Sequence, residues 1–298
     1  MIRTRAGTLA GLLLLGGCVA PSTPPPTSLV VTPTPVRPPS TTVATTADFA
    51  LSGRIEQGGL AFGTAPAGTV ALSLNDKSVP FATDRRFVIG FDRDAPAVAS
   101  LVATMADGGK RQLSLAVAPH AWQIESLPTL PRGTTPTTEF LARRKIELDR
   151  IAAARATDTG AQGWRQTFAW PATGRISGVF GSQRIYAGEP GAFHGGVDVA
   201  RPTGTPVAAP ADGVVILAAE APFSLEGNLL MIDHGMGLNT AFLHLSRIDV
   251  RVGDVVRRGQ IVGAIGMTGR ATGPHLHWAM KLRDARIDPA PLAGPMPR

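Results

Sequence analysis

The chain has a single cysteine, Cys18, among 298 residues, so it can form no internal disulfide and build no cysteine-based zinc site. Any metal would have to be held by histidine and carboxylate. Aromatic residues make up only 5% of the chain, with one tyrosine, and charged residues 17%, whereas 34 glycines and 26 prolines interrupt it. That balance describes a globular protein of short strands and many turns. The formal charge of +7 comes without a basic run, which argues against nucleic acid as a partner. A mild basic excess suits anionic surroundings such as wall polymers or lipid head groups. There is also no H-E-x-x-H helix, so the zinc site in which a glutamate serves as general base is excluded.

What is present begins with an address. Residues 1–17 combine a charged start at Arg3 and Arg5 with an apolar stretch from Ala6 to Gly17, too short to span a bilayer stably. Leu15-Gly16-Gly17-Cys18 resembles a bacterial lipobox, which implies removal of 1–17 and lipidation of Cys18. Ala20, where an aspartate would retain a lipoprotein at the inner membrane, implies an outer-membrane anchor facing the periplasm. Residues 18–47 are Pro, Thr, Ser and Val with one charge, Arg37. This composition cannot bury a core; as polyproline II its extended reach is on the order of 90 Å.

Two folded parts come after the tether, and the chain is expected to be mainly β. In 48–131, segments such as Val70 to Leu74, Arg86 to Phe91 and Gln112 to Val117 alternate with turn signals, predicting a small antiparallel β-sandwich. His120, near Trp122, is its only histidine and reads as structural or exposed. Residues 134–157 form the one helical stretch, with Phe140, Leu141, Ile146, Leu148, Ile151 and Ala152 among charges and Thr138 as the cap, linking the two parts. From 163 to 293 glycine-punctuated strands return, predicting an antiparallel catalytic domain.

Five of the six histidines lie between His194 and His277. They occur as His194-Gly-Gly-Val-Asp198, Phe242-Leu-His244-Leu-Ser246 and Pro274-His275-Leu-His277. Residues two apart on a strand share a face, so His275 and His277 address one site with Leu276 turned into the core. A catalytic zinc site takes three protein ligands and keeps a fourth position open. His194, Asp198 and His277 fit that count. His244 and His275 are then left to take a proton and to stabilise an oxyanion.

In this order and spacing the motifs resemble the lysostaphin and LytM type of zinc metallopeptidase. The likeness runs from about Arg175 to Leu282 and includes Gly178-Val-Phe-Gly181, Gly204-Thr-Pro-Val207, Asp233-His-Gly235 and Gly253-Asp254. The resemblance implies one Zn2+ held by His194, Asp198 and His277, assistance from His244 and His275, and hydrolysis of peptide crosslinks in peptidoglycan. One position departs: the family commonly has Tyr where Phe242 stands. Arg184 and Tyr186 are further candidates for substrate contact. His234 matches a family position that is not a ligand and reads as a strand-end residue. Two rivals remain. The hairpins also resemble those of biotinyl and lipoyl carriers, but no lysine occurs between Asp198 and Met280 to be modified. Family members that lack zinc ligands act as regulatory modules for other wall hydrolases, whereas here every ligand is present.

Overall fold

The computed structural model describes residues 49–129 and 136–297. The signal segment, Cys18 and the tether lie outside the described residues, which belong to one compact unit. Among them no helix is long and apolar enough to cross a membrane. The protein is mainly β, with antiparallel sheets and one long helix.

The first part is two antiparallel sheets face to face. One joins Ala50–Gly53, Leu60–Thr64 and Arg86–Gly90; the other joins Lys77–Ser78, Thr69–Leu74, Val98–Met105 and Lys110–Ala116. Alternation along the strands turns Leu51, Ala61, Phe87 and Ile89 toward Leu72, Leu101, Ala103 and Leu115 across a common core. The first sheet is buried on both faces. Its other residues, Leu60 and Val88, enter the core of the second part beside Leu282 and Ile287. The sandwich is therefore fused to the second part rather than hung from it.

The second part is an eight-stranded antiparallel sheet. Its order is Val255–Val256, Gly213–Ala218, Asn228–Asp233, Leu238–Leu245, His275–Leu282, Gly196–Ala200 and Arg175–Gly178, with Ala285–Ile287 also paired to His275–Leu282. A smaller sheet of Pro206–Ala208, Ile261–Ala264 and Arg247–Ile248 closes over one face. There Leu276, Trp278, Met280, Phe242, Leu230 and Val199 pack with Val207, Val262 and Ile265.

On the opposite face the helix Thr138–Arg155 packs through Ile151 and Ala154 onto Leu217, Leu229, Met231 and Ala241. Of the 134–157 expected from sequence, 134 and 135 lie outside the described residues; the described helix ends at Arg155, and its cap is Thr137 rather than Thr138. Thr137 has extended backbone and its Oγ1 accepts from the Phe140 amide at 3.1 Å, whereas Thr138 is already helical. The apolar reading of this helix also needs correction, because Leu141, Ile146 and Leu148 are 54%, 63% and 49% exposed. The buried side is Glu147, Ile151 and Ala154, at helical spacing but with a carboxylate in it.

His234 comes directly after the strand Asn228–Asp233 and is 0% exposed. Its Nδ1–H donates to the Asp212 carbonyl at 2.7 Å, and Nε2 accepts from the Thr240 hydroxyl at 2.9 Å, so it is held neutral in one tautomer. Burial pushes its pKa down to about 4. The unfolded chain, with a histidine near 6.5, therefore binds more protons between these values, and stability falls as pH drops through that window. The loss is on the order of 3 kcal/mol. Thermal unfolding of His234→Asn should show a shallower fall from pH 7 to pH 4 than the parent; parallel curves would contradict this account.

Candidate metal and catalytic site

The site lies on the helix-bearing face of the large sheet, at the level where Asp198 pairs with His277 and Leu243 pairs with His277 from the other side. His194 arrives from the loop before Gly196–Ala200. Its Nε2 is 3.0 Å from Asp198 Oδ1 and 3.0 Å from His277 Nδ1, and His277 Nδ1 is 2.8 Å from Asp198 Oδ1. Three donor atoms thus converge from three places in the chain. Gly178, on the neighbouring edge strand, leaves the room for this: a Cβ there would collide with Asp198 Oδ2 and crowd His194 Cε1.

Backbone carbonyls fix the histidine tautomers. His194 Nδ1–H donates to Val179 O at 3.0 Å, His244 Nδ1–H to Thr268 O at 2.8 Å, and His275 Nδ1–H to Gly273 O at 2.8 Å. A carbonyl can only accept, so each of these imidazoles, when neutral, presents an Nε2 lone pair. Second partners of this kind orient metal-binding imidazoles and raise their basicity.

The electrostatics describe a site short of positive charge. Burial works against it, yet hydrogen bonds from His194 and His277 hold Asp198 far below the usual carboxylate range. Burial also opposes protonation of His194, but its hydrogen bond and attraction to Asp198 prevail and raise its pKa. Burial, with the charge on His194 adding to it, lowers the pKa of His277 despite Asp198. A cation with bonds of about 2.0–2.1 Å in tetrahedral array would space its donors about 3.4 Å apart, so the cluster needs only to open slightly. Two imidazole nitrogens and one carboxylate oxygen are a donor set that fits zinc.

His244 and His275 complete the group. Their ring centroids are 4.8 Å apart, His244 is 6.3 Å from His277, and His275 Nε2 is 3.9 Å from Asp198 Oδ1. His244 reaches this face by a backbone irregularity. It has φ of +63°, and the pairing of Leu238–Leu245 with Asn228–Asp233 shifts between Leu245 and Phe242. Two residues oppose one at this bulge, which re-aims the side chain. Without it His244 would share the face of Phe242, whose ring is 0% exposed in the opposite core. The phenyl at 242 therefore points away from the site. Burial, chiefly, lowers the pKa of His244 and leaves it neutral at pH 7.

The remaining candidates lie elsewhere. Arg184 pairs with Glu125 at 2.7 Å across the parallel junction of Ile124–Leu127 and Gln183–Tyr186, where Tyr186 also sits. His120 is exposed and stacks on Trp122 with centroids 4.1 Å apart. The carbonyls of Val179, Thr268 and Gly273 and the helix clamp onto the site were not read from sequence. In that clamp Arg144 donates twice to Glu226 at 2.6 Å, while the Glu226 carbonyl accepts from the His244 amide at 2.8 Å.

Fold and site together define a metallopeptidase-type centre: two imidazoles and a carboxylate on a sheet, flanked by two further histidines. The chain belongs to peptidase family M23, whose sequence pattern matches residues 192–289. It is 31% identical to the structure of a putative peptidase M23 from Pseudomonas aeruginosa, covering 80% of this chain and 94% of that one with a TM-score of 0.61. Among curated proteins it is 40% identical over 129 residues to the peptidoglycan DD-endopeptidase ShyA of Vibrio cholerae. It is 39% identical over 123 residues to the DD-carboxypeptidase/endopeptidase Mpg of Neisseria meningitidis. These alignments cover 42% and 41% of this chain but only 30% and 28% of those relatives.

Proposed function

We propose that this chain is a zinc metalloendopeptidase that hydrolyses peptide crosslinks of peptidoglycan in the bacterial cell envelope. The observation that carries the reading is the convergence of His194 Nε2, Asp198 Oδ1 and His277 Nδ1 within 3.0 Å of one another beside the imidazoles of His244 and His275. In this reading His194, Asp198 and His277 hold the metal. When bound, zinc supplies Lewis acidity toward a carbonyl and acidifies water. One of His244 and His275 accepts at Nε2 the proton of the attacking water. It then passes that proton to the leaving amine, while the other, once it carries a proton at Nε2, donates to the oxyanion.

Residues 163–293 are the proposed catalytic domain, 48–131 the sandwich and 18–47 the tether. Lipidated Cys18 would place the site on the outer membrane, facing the periplasm and within reach of the wall. The relatives' names support peptidoglycan as substrate, and the family supports a metallopeptidase.

Purified protein should release soluble muropeptides from isolated peptidoglycan, stop when dialysed against a chelator, and resume with stoichiometric zinc. Mass spectrometry of the fragments would identify the bond. Walls left intact by protein carrying one zinc would overturn the reading.

A further inference from the structure

Asp198 and His277 sit on paired strands of the large sheet, whereas His194 stands in the loop before Gly196–Ala200. A strand residue is held by its ladder; a loop residue is only as well placed as whatever holds the loop. Here the holder comes from the other part of the chain. Arg93, in the turn after the sandwich strand Arg86–Gly90, is 6% exposed. Its Nε–H donates to the Gly181 carbonyl at 2.9 Å, Nη2 to Gln183 Oε1 at 3.0 Å and Nη1 to Asp94 Oδ1 at 2.6 Å. A buried guanidinium is costly unless its donors are met, and two of these three acceptors belong to the segment beside His194.

From those acceptors His194 is one bond away. The Gly181 amide donates to the His194 carbonyl at 2.8 Å, and the His194 amide donates to the Ser182 carbonyl at 2.8 Å. Gln183, met at Oε1 by Arg93, donates from Nε2 to the Gly191 carbonyl at 2.6 Å. The guanidinium also lies 4.8 Å from the centre of the Phe193 ring and 5.4 Å from that of Trp122, both within the range of cation–π attraction. Phe193 immediately precedes His194. Phe180, which precedes Gly181, meets the rings of Trp122 and Phe193 edge-on, with centroids 5.6 Å and 6.1 Å away. A Cβ on Gly181 would collide with the Trp122 ring, so the loop is pressed closely onto this support. Arg93 therefore ties 180–183 to 191–194 through hydrogen bonds on one side and an aromatic face on the other.

We propose that Arg93 is a positioning residue for the metal ligand His194, so that the sandwich part sets how tightly the centre holds its zinc. This rests on the reading of His194 as a zinc ligand given above, and adds to it a dependence on a residue outside the 192–289 family match. The competing account is that Arg93 merely joins the two parts. A second arginine supplies the comparison. The half-buried Arg283 also bridges them, its Nη1 donating to the Met236 carbonyl and its Nη2 to the Val88 carbonyl of the sandwich, both at 3.2 Å. It lies six residues beyond His277, about 20 Å along the strand direction.

The test uses full-length protein, with zinc affinity measured by competition against a chromogenic chelator and thermal unfolding followed on the zinc-free form. Arg93→Met should still take up one zinc, since all three donors remain, but about tenfold or more weakly than the parent, the usual cost of losing a group that orients a ligand. Arg283→Met should lose thermal stability and keep the parent's zinc affinity. Arg93→Lys, which retains the charge and one donor within reach, should fall between Arg93→Met and the parent. If Arg93→Met gives no cooperative transition, the comparison of Arg93→Lys with the parent decides by the same criterion. Parent-like zinc affinity in the Arg93 variants would overturn the positioning role and leave the zinc reading standing. Equal weakening in Arg93→Met and Arg283→Met would also overturn it, assigning the effect to looser joining of the two parts. A parent protein that binds no zinc would overturn both.

Discussion

Replacing His277 by alanine is expected to leave the purified protein without stoichiometric zinc and without measurable activity on peptidoglycan. His277 Nδ1 touches both other donors, at 2.8 Å and 3.0 Å, so its removal takes away a third of the coordination and the neighbour that fixes Asp198. Loss of an outer hydrogen-bond partner typically costs about 10- to 100-fold in metal affinity, and loss of a ligand must exceed this. Elemental analysis after dialysis gives the zinc content, and a retained cooperative thermal transition shows that the fold survives. One zinc per chain in His277→Ala would remove His277 from the ligand set.

His244→Ala should do the reverse, keeping zinc and losing about 10²- to 10⁴-fold in turnover, the usual worth of a positioned acid or base. The residue makes no donor contact within the cluster of three, but its ring stands 4.8 Å from His275. The backbone complicates a single substitution, because alanine is disfavoured at φ of +63°. Asparagine tolerates that conformation, so His244→Asn separates loss of the imidazole from disturbance of the bulge. Equal losses in both variants assign the effect to the ring. Full activity in either would sink the role given to His244.

His275 and His277 show what the sequence could disclose. Their spacing of two puts both on one face whatever the details of the sheet, and Leu276 between them is fully buried. The same rule applied to Phe242 and His244 gives the wrong face, because the extra residue at the bulge is a matter of pairing, not of composition. In the helix the clamp outweighs periodicity. Arg144 and Glu147 are half-buried and buried because Glu226 and Ser224 meet them, with Ser224 donating to Glu147 at 2.7 Å from both its amide and its hydroxyl. Leu141, Ile146 and Leu148 are left in solvent. Family membership was legible because it needs only order and spacing of the motifs.

The clamp also bears on where the chain can be cut. A fragment starting at 163, the natural choice from the motif boundaries, would discard Arg144 and Glu147, and with them the ion pairs holding the 224–226 loop. That loop supplies the carbonyl that receives the His244 amide. It would also lose Thr159, whose amide holds the Asp233 carboxylate at 3.1 Å. Expression of the M23 part alone is better begun ahead of Thr137, so that the helix stays attached as a structural member of the fold it precedes.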